Sequence, residues 1–276
     1  MTIKQAISNR KSIRTYKDIP ITHEIRSKLE KYIKKVEAPF DTKQRFILID
    51  KDEVSNKAKL GTYGVISGAK TFICAVTEPA YRYEENLGYA FEKIILYATS
   101  LGLGTCWLGG TFNKSGFSGS IYLKDKDFIP VVTPVGYAKE KRNFIDQVMS
   151  FGAGSKNRKD WSELFFNKNL DTPLKKEEVG PYKDALEMVR LAPSASNKQP
   201  WRIVKDENTF HFFLRRTIGY KSLLGYDIQR LDIGIAMCHF ELTINELGFM
   251  GKWTDEISGL NEGNSPEYIV SYKILE

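Results

Sequence analysis

The sequence predicts an α+β fold built from two copies of a unit of about 140 residues. Three observations support this expectation. A spaced pattern of glycine, alanine and tryptophan recurs 146 positions further along the chain. Strand-like segments surround the pattern in each half, and a polar segment containing glycine and proline lies between the halves.

The recurring pattern occupies residues 87–107, LGYAFEKIILYATSLGLGTCW, and residues 233–253, IGIAMCHFELTINELGFMGKW. In both copies a glycine is followed by x-Ala, then by a helical stretch, and then by Leu-Gly and a tryptophan. The two glycines and the tryptophan each lie 146 positions apart in the two copies. This agreement in spacing indicates an internal duplication.

Each copy is expected to be a long helix that faces the core, because its apolar residues recur at helical spacing. These residues are Leu87, Ala90, Phe91, Ile94, Ile95, Ala98 and Leu101 in the first copy, and Ile233, Met237, Phe240, Ile244 and Leu247 in the second. A glycine follows each helix, as a C-terminal cap requires. Taken alone, either helix would indicate no more than core packing.

Strand patterns complete the two halves. The segments 71–77 and 128–137 are β-rich in the first half, as are 209–215 and 268–275 in the second. Residues 37–49 and 191–204 also resemble each other, since both run from Ala-Pro through a polar turn and a glutamine into a strand. We expect half 1 at residues 1–150, a connection at 151–180 and half 2 at 181–276, forming one compact body.

Composition restricts the classes of function. The 276 residues are 42% hydrophobic, which suffices for a core, and the net charge is +7. The basic residues are dispersed and no nucleic-acid-binding motif occurs, so solubility together with small anionic ligands is favoured over nucleic acid as the reason for the charge. Three separated cysteines argue against a disulfide framework and a cysteine-based zinc site. A polar N-terminal stretch and the lack of an 18-residue apolar run predict a cytoplasmic protein without a membrane span.

The halves differ in a basic segment near the start of the chain, RKSIRTY at residues 10–16. In an extended conformation Arg10, Ser12 and Arg14 would face the same way. Two guanidinium groups and a hydroxyl suit a phosphate or another oxyanion. A solvated basic turn is the alternative interpretation of this segment. Residues 171–190, before the Ala-Pro of the second half, contain no Arg-x-Ser-x-Arg.

The second half instead carries a rigid polar loop at residues 192–201, APSASNKQPW. Its two prolines restrict the chain, and Ser194, Ser196 and Asn197 offer hydrogen bonds. Such a loop would suit a flat heteroaromatic ring with amide edges, although an ordinary turn is equally compatible with it. The corresponding residues 38–46 of the first half, APFDTKQRF, contain neither serine nor asparagine.

A third element is the glycine-rich turn LGTCWLGG at residues 103–110. Small residues let the backbone approach a ligand closely, and its free N–H groups can point at a ring nitrogen. A simple helix-ending turn is the alternative. The turn ends a helix rather than opening one, which argues against a dinucleotide fingerprint. Cys106 is expected to be a packed thiol, and the three histidines lack the spacing of metal ligands.

Together these elements resemble the FMN-dependent nitroreductase family, on the segments RKSIR, GLGTCWLGG and PSASNKQPW. The family carries an Arg-x-Ser-x-Arg segment, a Gly-Leu-Gly-x-x-x-hydrophobic-Gly turn and a Pro-Ser-x-x-Asn-x-Gln-Pro-Trp loop. The resemblance spans nearly the whole chain, but here the motifs are divided between the halves. That division resembles the single-chain, pseudo-dimeric branch of the family, and it implies a nitroreductase-like fold.

The resemblance also implies a set of cofactor-binding residues. Arg10, Ser12 and Arg14 would hold the FMN phosphate and the pyrimidine edge of the ring, with a backbone contact from Lys11. The remaining members would be Leu108, Gly109 and Gly110 near flavin N5, Pro193, Ser194 and Asn197 at the ring and ribityl chain, and Arg158 on the phosphate, with Arg142 as its rival.

The activity implied by the family is NAD(P)H-dependent reduction of a small electron acceptor, such as a nitroaromatic or a quinone, through flavin N5 in a ping-pong cycle. One FMN per chain and a monomeric pseudo-dimer are expected, with no metal, no nucleic acid and no membrane partner. Loops 55–68 and 111–125 would build the acceptor pocket. A non-catalytic flavin-binding or carrier protein remains an alternative, as does another flavin reaction, such as oxidative dehydrogenation or flavin breakdown.

Overall fold

The computed structural model describes residues 1–54, 60–140, 157–218, 224–255 and 266–275. The chain divides into two compact units. Unit 1 consists of Met1 and Asn9–Ala153, and unit 2 consists of Thr2–Ser8 and Gly154–Glu276. The first helix of the chain therefore belongs to unit 2, although the residues that follow it belong to unit 1.

The first half of the chain contains both helices and strands. In chain order they are α1 (Ile3–Asn9), α2 (His23–Ile33), β1 (Gln44–Asp50), β2 (Thr71–Thr77), α3 (Tyr83–Ser100), β3 (Gly104–Thr105), α4 (Lys114–Ser118) and β4 (Phe128–Gly136). The four strands form one antiparallel sheet in the order β1-β2-β4-β3.

The second half repeats this arrangement and adds one strand. Its elements are α5 (Trp161–Leu164), β5 (Phe165–Asn167), α6 (Lys183–Arg190), β6 (Trp201–Asp206), β7 (Thr209–Leu214), α7 (Ile228–Glu246), β8 (Met250–Thr254) and β9 (Glu267–Leu275). The sheet order is β5-β6-β7-β9-β8, with β5 parallel to β6 and the other pairs antiparallel.

The sheets show the same topology when β1, β2, β4 and β3 are matched with β6, β7, β9 and β8. In both units the long helix follows the second strand of the match and leads into the edge strand. The predicted α+β class, the duplication and the strands at 71–77, 128–137, 209–215 and 268–275 are thus confirmed, to within a residue at the strand ends.

The ends of α3 and α7 are identical in conformation. Gly102 and Gly248 adopt left-handed φ values of 80° and 87°. The residue after each glycine donates its N–H five residues back, from Leu103 to the Ala98 carbonyl at 3.0 Å and from Phe249 to the Ile244 carbonyl at 3.1 Å. This bonding is the Schellman motif, so the predicted glycine caps are confirmed.

The starts of these helices lie earlier than the apolar pattern indicated. Helix α3 begins at Tyr83 and buries Glu85 and Asn86, and α7 begins at Ile228 after the N-cap Asp227. The side chain of Asp227 accepts the N–H of Gln229 at 3.1 Å. The first turns were missed because polar residues form them, and hydrophobic periodicity does not register a buried polar residue.

Part of the segment expected to be a connection contributes to unit 2. Strand β5 adds to the edge of its sheet, with Phe165 opposite Ile203. Asp160 and Glu163 form a capping box at the start of α5. A strand of three residues is too short to show a period, and so it was read as part of a linker. Residues 151–156 of the expected connection lie outside the described residues, as do residues 141–150 of the expected half 1.

Helix α1 is packed within unit 2. The Lys4 ammonium group lies 2.7 Å from the Asp184 carboxylate on α6. The backbone N–H groups of Ile3 and Lys4 donate to the carboxylate of Glu246 at the end of α7. None of the helices that the structure describes is both long enough and apolar enough to span a bilayer.

Candidate functional site

The RKSIRTY segment (residues 10–16) of unit 1 is extended, which is the conformation that the anion-binding interpretation assumed. Ser12 forms a parallel bridge with Thr105 of β3, and the Ile13 N–H donates to the Thr105 carbonyl at 2.8 Å. On its other side the segment exchanges hydrogen bonds with Ser67, whose N–H donates to the Arg14 carbonyl at 2.9 Å. The segment therefore runs between an edge strand and the loop before β2.

Two glycines permit this close docking. A Cβ atom on Gly104 would lie 2.7 Å from Cγ1 of Ile13. A Cβ atom on Gly68 would lie 2.3 Å from the Tyr16 carbonyl oxygen, and the φ of Gly68 is +77°. Because real Cβ atoms do not approach other atoms so closely, side chains at these two positions would displace the RKSIRTY segment.

The residues of the segment differ in burial. Lys11 is exposed, whereas Arg10, Ser12 and Arg14 are half-buried. The Arg10 Nε lies 3.8 Å from Oε1 of the buried Glu92, and among the described residues it has no hydrogen-bond partner. Within unit 1 the three predicted anion-binding residues thus lie on one segment, and Arg10 combines a distant ion pair with a buried N–H that makes no hydrogen bond to the described residues.

The residues of the glycine-rich turn differ in their burial and in their backbone hydrogen bonds. Leu108 exchanges both backbone hydrogen bonds with Val132 at 3.0 Å, and its side chain lies in the core. Its N–H is therefore already used within the protein. Gly110 is exposed, and its N–H has no partner in the part of the chain that the structure describes. Cys106 is buried, in agreement with the expected packed thiol.

The polar loop of unit 2 has a strained backbone. Ser196, Asn197 and Gln199 adopt left-handed φ values of 45°, 54° and 48°. Such conformations cost about 1–3 kcal/mol each for residues other than glycine, and they persist where surrounding contacts impose them. Strain of this kind concentrates at ligand-binding sites, which agrees with the predicted importance of the loop.

Side chains on both sides of the loop hold this conformation. Arg158 donates from Nη1 to Oδ1 of Asn197 at 2.5 Å and from Nη2 to the Leu191 carbonyl at 3.0 Å. The Gln199 N–H donates to Oγ of Ser194 at 2.8 Å. Arg158, predicted to bind a phosphate, thus belongs to unit 2 and contacts the loop. Its rival Arg142 lies outside the described residues.

Two buried ionisable residues that sequence reasoning missed also contact this loop. The Ala195 N–H donates to the Asp232 carboxyl group, at 3.0 Å from Oδ1 and 3.2 Å from Oδ2. Burial raises the pKa of Asp232 well above its usual range. Arg202 donates from Nη1 to the Gln199 carbonyl at 3.1 Å, and burial together with the charge of Arg215 lowers the pKa of Arg202 to about 10.

A signal for Asp232 was present in the sequence. Asp232 directly precedes the repeat that begins at 233, just as Asn86 precedes the copy that begins at 87. Asn86 makes the corresponding contact in unit 1, where its Oδ1 accepts the Phe40 N–H at 2.8 Å. One extra position in the alignment would have indicated a polar residue with the same task in both halves.

The histidines have structural contacts. Nδ1 of His239 lies 2.9 Å from the Met188 carbonyl oxygen, and Nδ1 of His211 lies 2.7 Å from Oγ of Ser271. Both side chains are buried, and His23 is exposed at the start of α2. Among the described residues, no group of three or more His, Cys, Asp and Glu side chains has a geometry that could hold a metal ion.

The duplicated sheets, each with its long helix and edge strand, define an α+β fold of the nitroreductase type. A family model described as "Putative TM nitroreductase" matches residues 2–244. The chain therefore belongs to this family and is an oxidoreductase of the nitroreductase type. Its arrangement is that of a fused, duplicated nitroreductase. Among curated proteins, no sequence matches the chain.

One solved structure agrees with this assignment of the fold, and two others are similar to about half of the chain. A "putative nitroreductase" from Thermotoga maritima has a TM-score of 0.63 at 21% identity, covering 99% of this chain and 94% of that one. An FMN-dependent nitroreductase from Clostridium difficile has a TM-score of 0.41 at 23% identity, covering 50% of this chain and 88% of that one. A "Putative NADH Oxidase" from Clostridium acetobutylicum has a TM-score of 0.39 at 25% identity, with coverage of 50% and 89%.

Proposed function

We propose that this chain is an FMN-dependent NAD(P)H oxidoreductase that reduces a small electron acceptor, such as a nitroaromatic or a quinone. The observation that carries the proposal is that each copy has a candidate binding segment that the other copy does not have in its sequence. Unit 1 carries the basic RKSIRTY segment against its edge strand, and unit 2 carries the strained loop around Ser194–Gln199. Each copy carries one part of the residues that the family resemblance assigns to FMN.

The donor chemistry of unit 1 fits the phosphate and pyrimidine edge of FMN. Arg10 has a buried Nε that makes no hydrogen bond to the described residues, and Ser12 adds a hydroxyl group two positions further along the extended segment. Charge-assisted hydrogen bonds of guanidinium groups to phosphate are among the stronger ones in proteins. We propose that Arg10, Ser12 and Arg14 hold these groups, with Lys11 contributing its backbone, and that Gly109 and Gly110 lie at the reactive edge of the ring.

The loop of unit 2 fits the ring and the ribityl chain. Its backbone is fixed by contacts to Arg158, Asp232 and Arg202, so little conformational entropy is lost when it binds a ligand. We propose that Pro193, Ser194 and Asn197 make the ligand contacts. Arg158 holds Asn197, and so we propose that it acts at least in part by fixing the loop.

The architecture of unit 2 supports one flavin per chain. In unit 1 the segment before α2 lies along the free edge of β3. In unit 2 the segment before α6 contains β5, which pairs with β6 at the opposite edge of the sheet. Within the described residues no strand pairs with the outer edge of β8. Among its described residues, the second copy thus shows no structural equivalent of the RKSIRTY segment, and residues 171–190 contain no equivalent motif.

Bound FMN would supply two-electron redox chemistry, in which NAD(P)H delivers a hydride to N5 and the acceptor is reduced afterwards. The protein's residues then need to bind and orient the flavin, and no acid–base side chain is required. This is compatible with histidines that are occupied in structural contacts.

The test is the absorbance spectrum of the purified, FMN-reconstituted chain under anaerobic conditions. We expect flavin bands that bleach on addition of NADH or NADPH and return when a quinone or a nitroaromatic is added. A flavin spectrum that neither nucleotide bleaches would contradict the oxidoreductase proposal and favour a flavin carrier. Absence of flavin binding would overturn the proposal as a whole.

A further inference from the structure

Asp232 is the buried acid of helix α7 whose carboxyl group reaches the loop of unit 2. It is 2% exposed and accepts the Ala195 N–H with both oxygens. We propose that Asp232 is a positioning residue, which holds Ser194–Gln199 in the conformation that binds the flavin. The inference rests on the proposed function, and it adds a residue that contacts the binding loop from the neighbouring helix.

The loop needs such a contact because its own residues disfavour its conformation. Three residues that are not glycine have positive φ values between 45° and 54°. Hydrogen bonds inside the loop, such as the Gln199 N–H to Oγ of Ser194, close the turn but do not fix it to the rest of unit 2. The Asp232 contact attaches its first residues to a helix whose neighbouring side chains are almost all buried.

Stability alone does not account for an acid at this position. A buried carboxyl group with one N–H donor loses its hydration and recovers little of it, so an apolar side chain would be expected to serve the core better. Burial and the charge of Asp227 both raise the pKa of Asp232. Asp232 is costly to bury, and its single described hydrogen-bond donor is the Ala195 amide. The conformation that Asp232 imposes on the loop explains why an acid stands there.

Unit 1 provides a comparison for the Asp232 contact of unit 2. Asn86 stands at the equivalent position of α3 and accepts the Phe40 N–H at 2.8 Å, while its Nδ2 donates to Oγ1 of Thr42 at 2.6 Å. Residues 38–46 around this contact have no positive φ value. The same helix position thus fixes an unstrained loop in unit 1 and a strained loop in unit 2. If the contact served folding alone, its loss would have the same consequences in both units.

The test compares Asp232→Asn, Asp232→Leu and the matched control Asn86→Leu. Three quantities are measured: the Kd for FMN, the thermal unfolding temperature, and hydrogen exchange of the loop amides in the flavin-free protein. We expect Asp232→Leu to weaken FMN binding roughly 5- to 100-fold and to accelerate exchange at Ala195, because the amide loses its acceptor. Asp232→Asn keeps an acceptor oxygen and should stay within about threefold of wild type.

The control separates positioning from general stability. Asn86→Leu should lower the unfolding temperature but leave the Kd for FMN within about threefold of wild type, because it loosens a loop outside the proposed site. Wild-type affinity in Asp232→Leu, or an equal loss of affinity in Asn86→Leu, would overturn the proposal. If the wild-type chain binds no FMN, the proposed function fails, whereas the exchange measurement still decides whether Asp232 fixes the loop.

Discussion

Unit 1 and unit 2 agree in their cores and differ at their edges. Helices α3 and α7 end in the same Schellman motif, and the sheets share one strand order. The edge of β3 is occupied by the RKSIRTY segment, whereas the additional strand of unit 2 lies at the opposite edge, beside β6. The two copies thus share their helix ends and strand order, whereas the segments at their sheet edges differ. Such a difference is expected when binding residues lie in loops on a rigid scaffold.

The half-buried tryptophans that follow the two long helices also show one shared and one differing feature. Trp107 and Trp253 each donate from Nε1 to a glutamate on the preceding long helix, at 2.7 Å to Glu92 and 2.6 Å to Glu241. The two glutamates are not equivalent in the repeat, since one lies 15 residues before its tryptophan and the other 12. Glu92 also faces Arg10, so in unit 1 this contact is connected to the proposed binding segment.

The largest effect is expected where the RKSIRTY segment docks. Gly68→Ala should lower the free energy of unfolding by about 2–4 kcal/mol, because the new methyl group strikes the Tyr16 carbonyl and φ is left-handed. Urea unfolding measures the change. The control is Gly64→Ala, with a similar φ of +79° but open space around it, which should cost about 1 kcal/mol. Equal costs at 64 and 68 would contradict tight docking of the segment.

Removal of the Arg14 guanidinium group tests whether FMN binding depends on the basic segment of unit 1. Arg14→Ala should weaken FMN binding by about 1.5–3 kcal/mol, or roughly 10- to 150-fold, while the fold remains intact. Fluorescence titration with FMN measures the affinity, and circular dichroism checks the fold. Lys17→Ala removes an exposed charge three residues later and should have little effect. An unchanged affinity in Arg14→Ala would show that Arg14 does not bind the FMN phosphate.

Substitution of the two tryptophans is expected to lower the free energy of unfolding by smaller and slightly different amounts. Trp107→Phe deprives the fully buried Glu92 of a donor and should cost about 2 kcal/mol of unfolding free energy. Trp253→Phe should cost about 1 kcal/mol, because Glu241 is half-buried and can be hydrated. Thermal unfolding of both variants checks the ranking, which would be wrong if Trp253→Phe proved the more damaging.

The smallest difference is expected at the helix ends. Gly102→Ala and Gly248→Ala introduce a methyl group into open space at φ values of +80° and +87°. Each should cost about 1 kcal/mol, from the left-handed backbone alone. Denaturant unfolding of the two variants should therefore give matching changes. A clear inequality would mean that the ends of the two helices are not equivalent in energy, despite their identical hydrogen bonds.

The regular elements of the fold were predictable because their periods are visible in the sequence. Strand β2 spans the predicted residues 71–77, and both long helices end at the predicted glycines. Strand β5 was missed because three residues show no alternation. The assignment of α1 to unit 2 was missed because its ion pair with Asp184 joins residues 180 positions apart. Local patterns carry no information on such distant contacts.

The candidate site was predictable where its chemistry lies in short motifs. The extended RKSIRTY segment and the special character of the loop near Asn197 followed from residue types at given spacings. The contribution of Asp232 did not, because a single acid within a helix pattern resembles a surface residue until its burial is known. The use of the Leu108 N–H by Val132 was also hidden, since it depends on pairing across the sheet.

The central claim is that the chain binds one FMN, because each of its unlike copies carries only part of the residues assigned to the flavin. It is tested most directly by titrating FMN into the flavin-free chain at a known protein concentration, with the mass of the species followed by light scattering. The account predicts saturation at one FMN per chain. Saturation at two FMN per chain would contradict it, because each copy would then bind a flavin by itself.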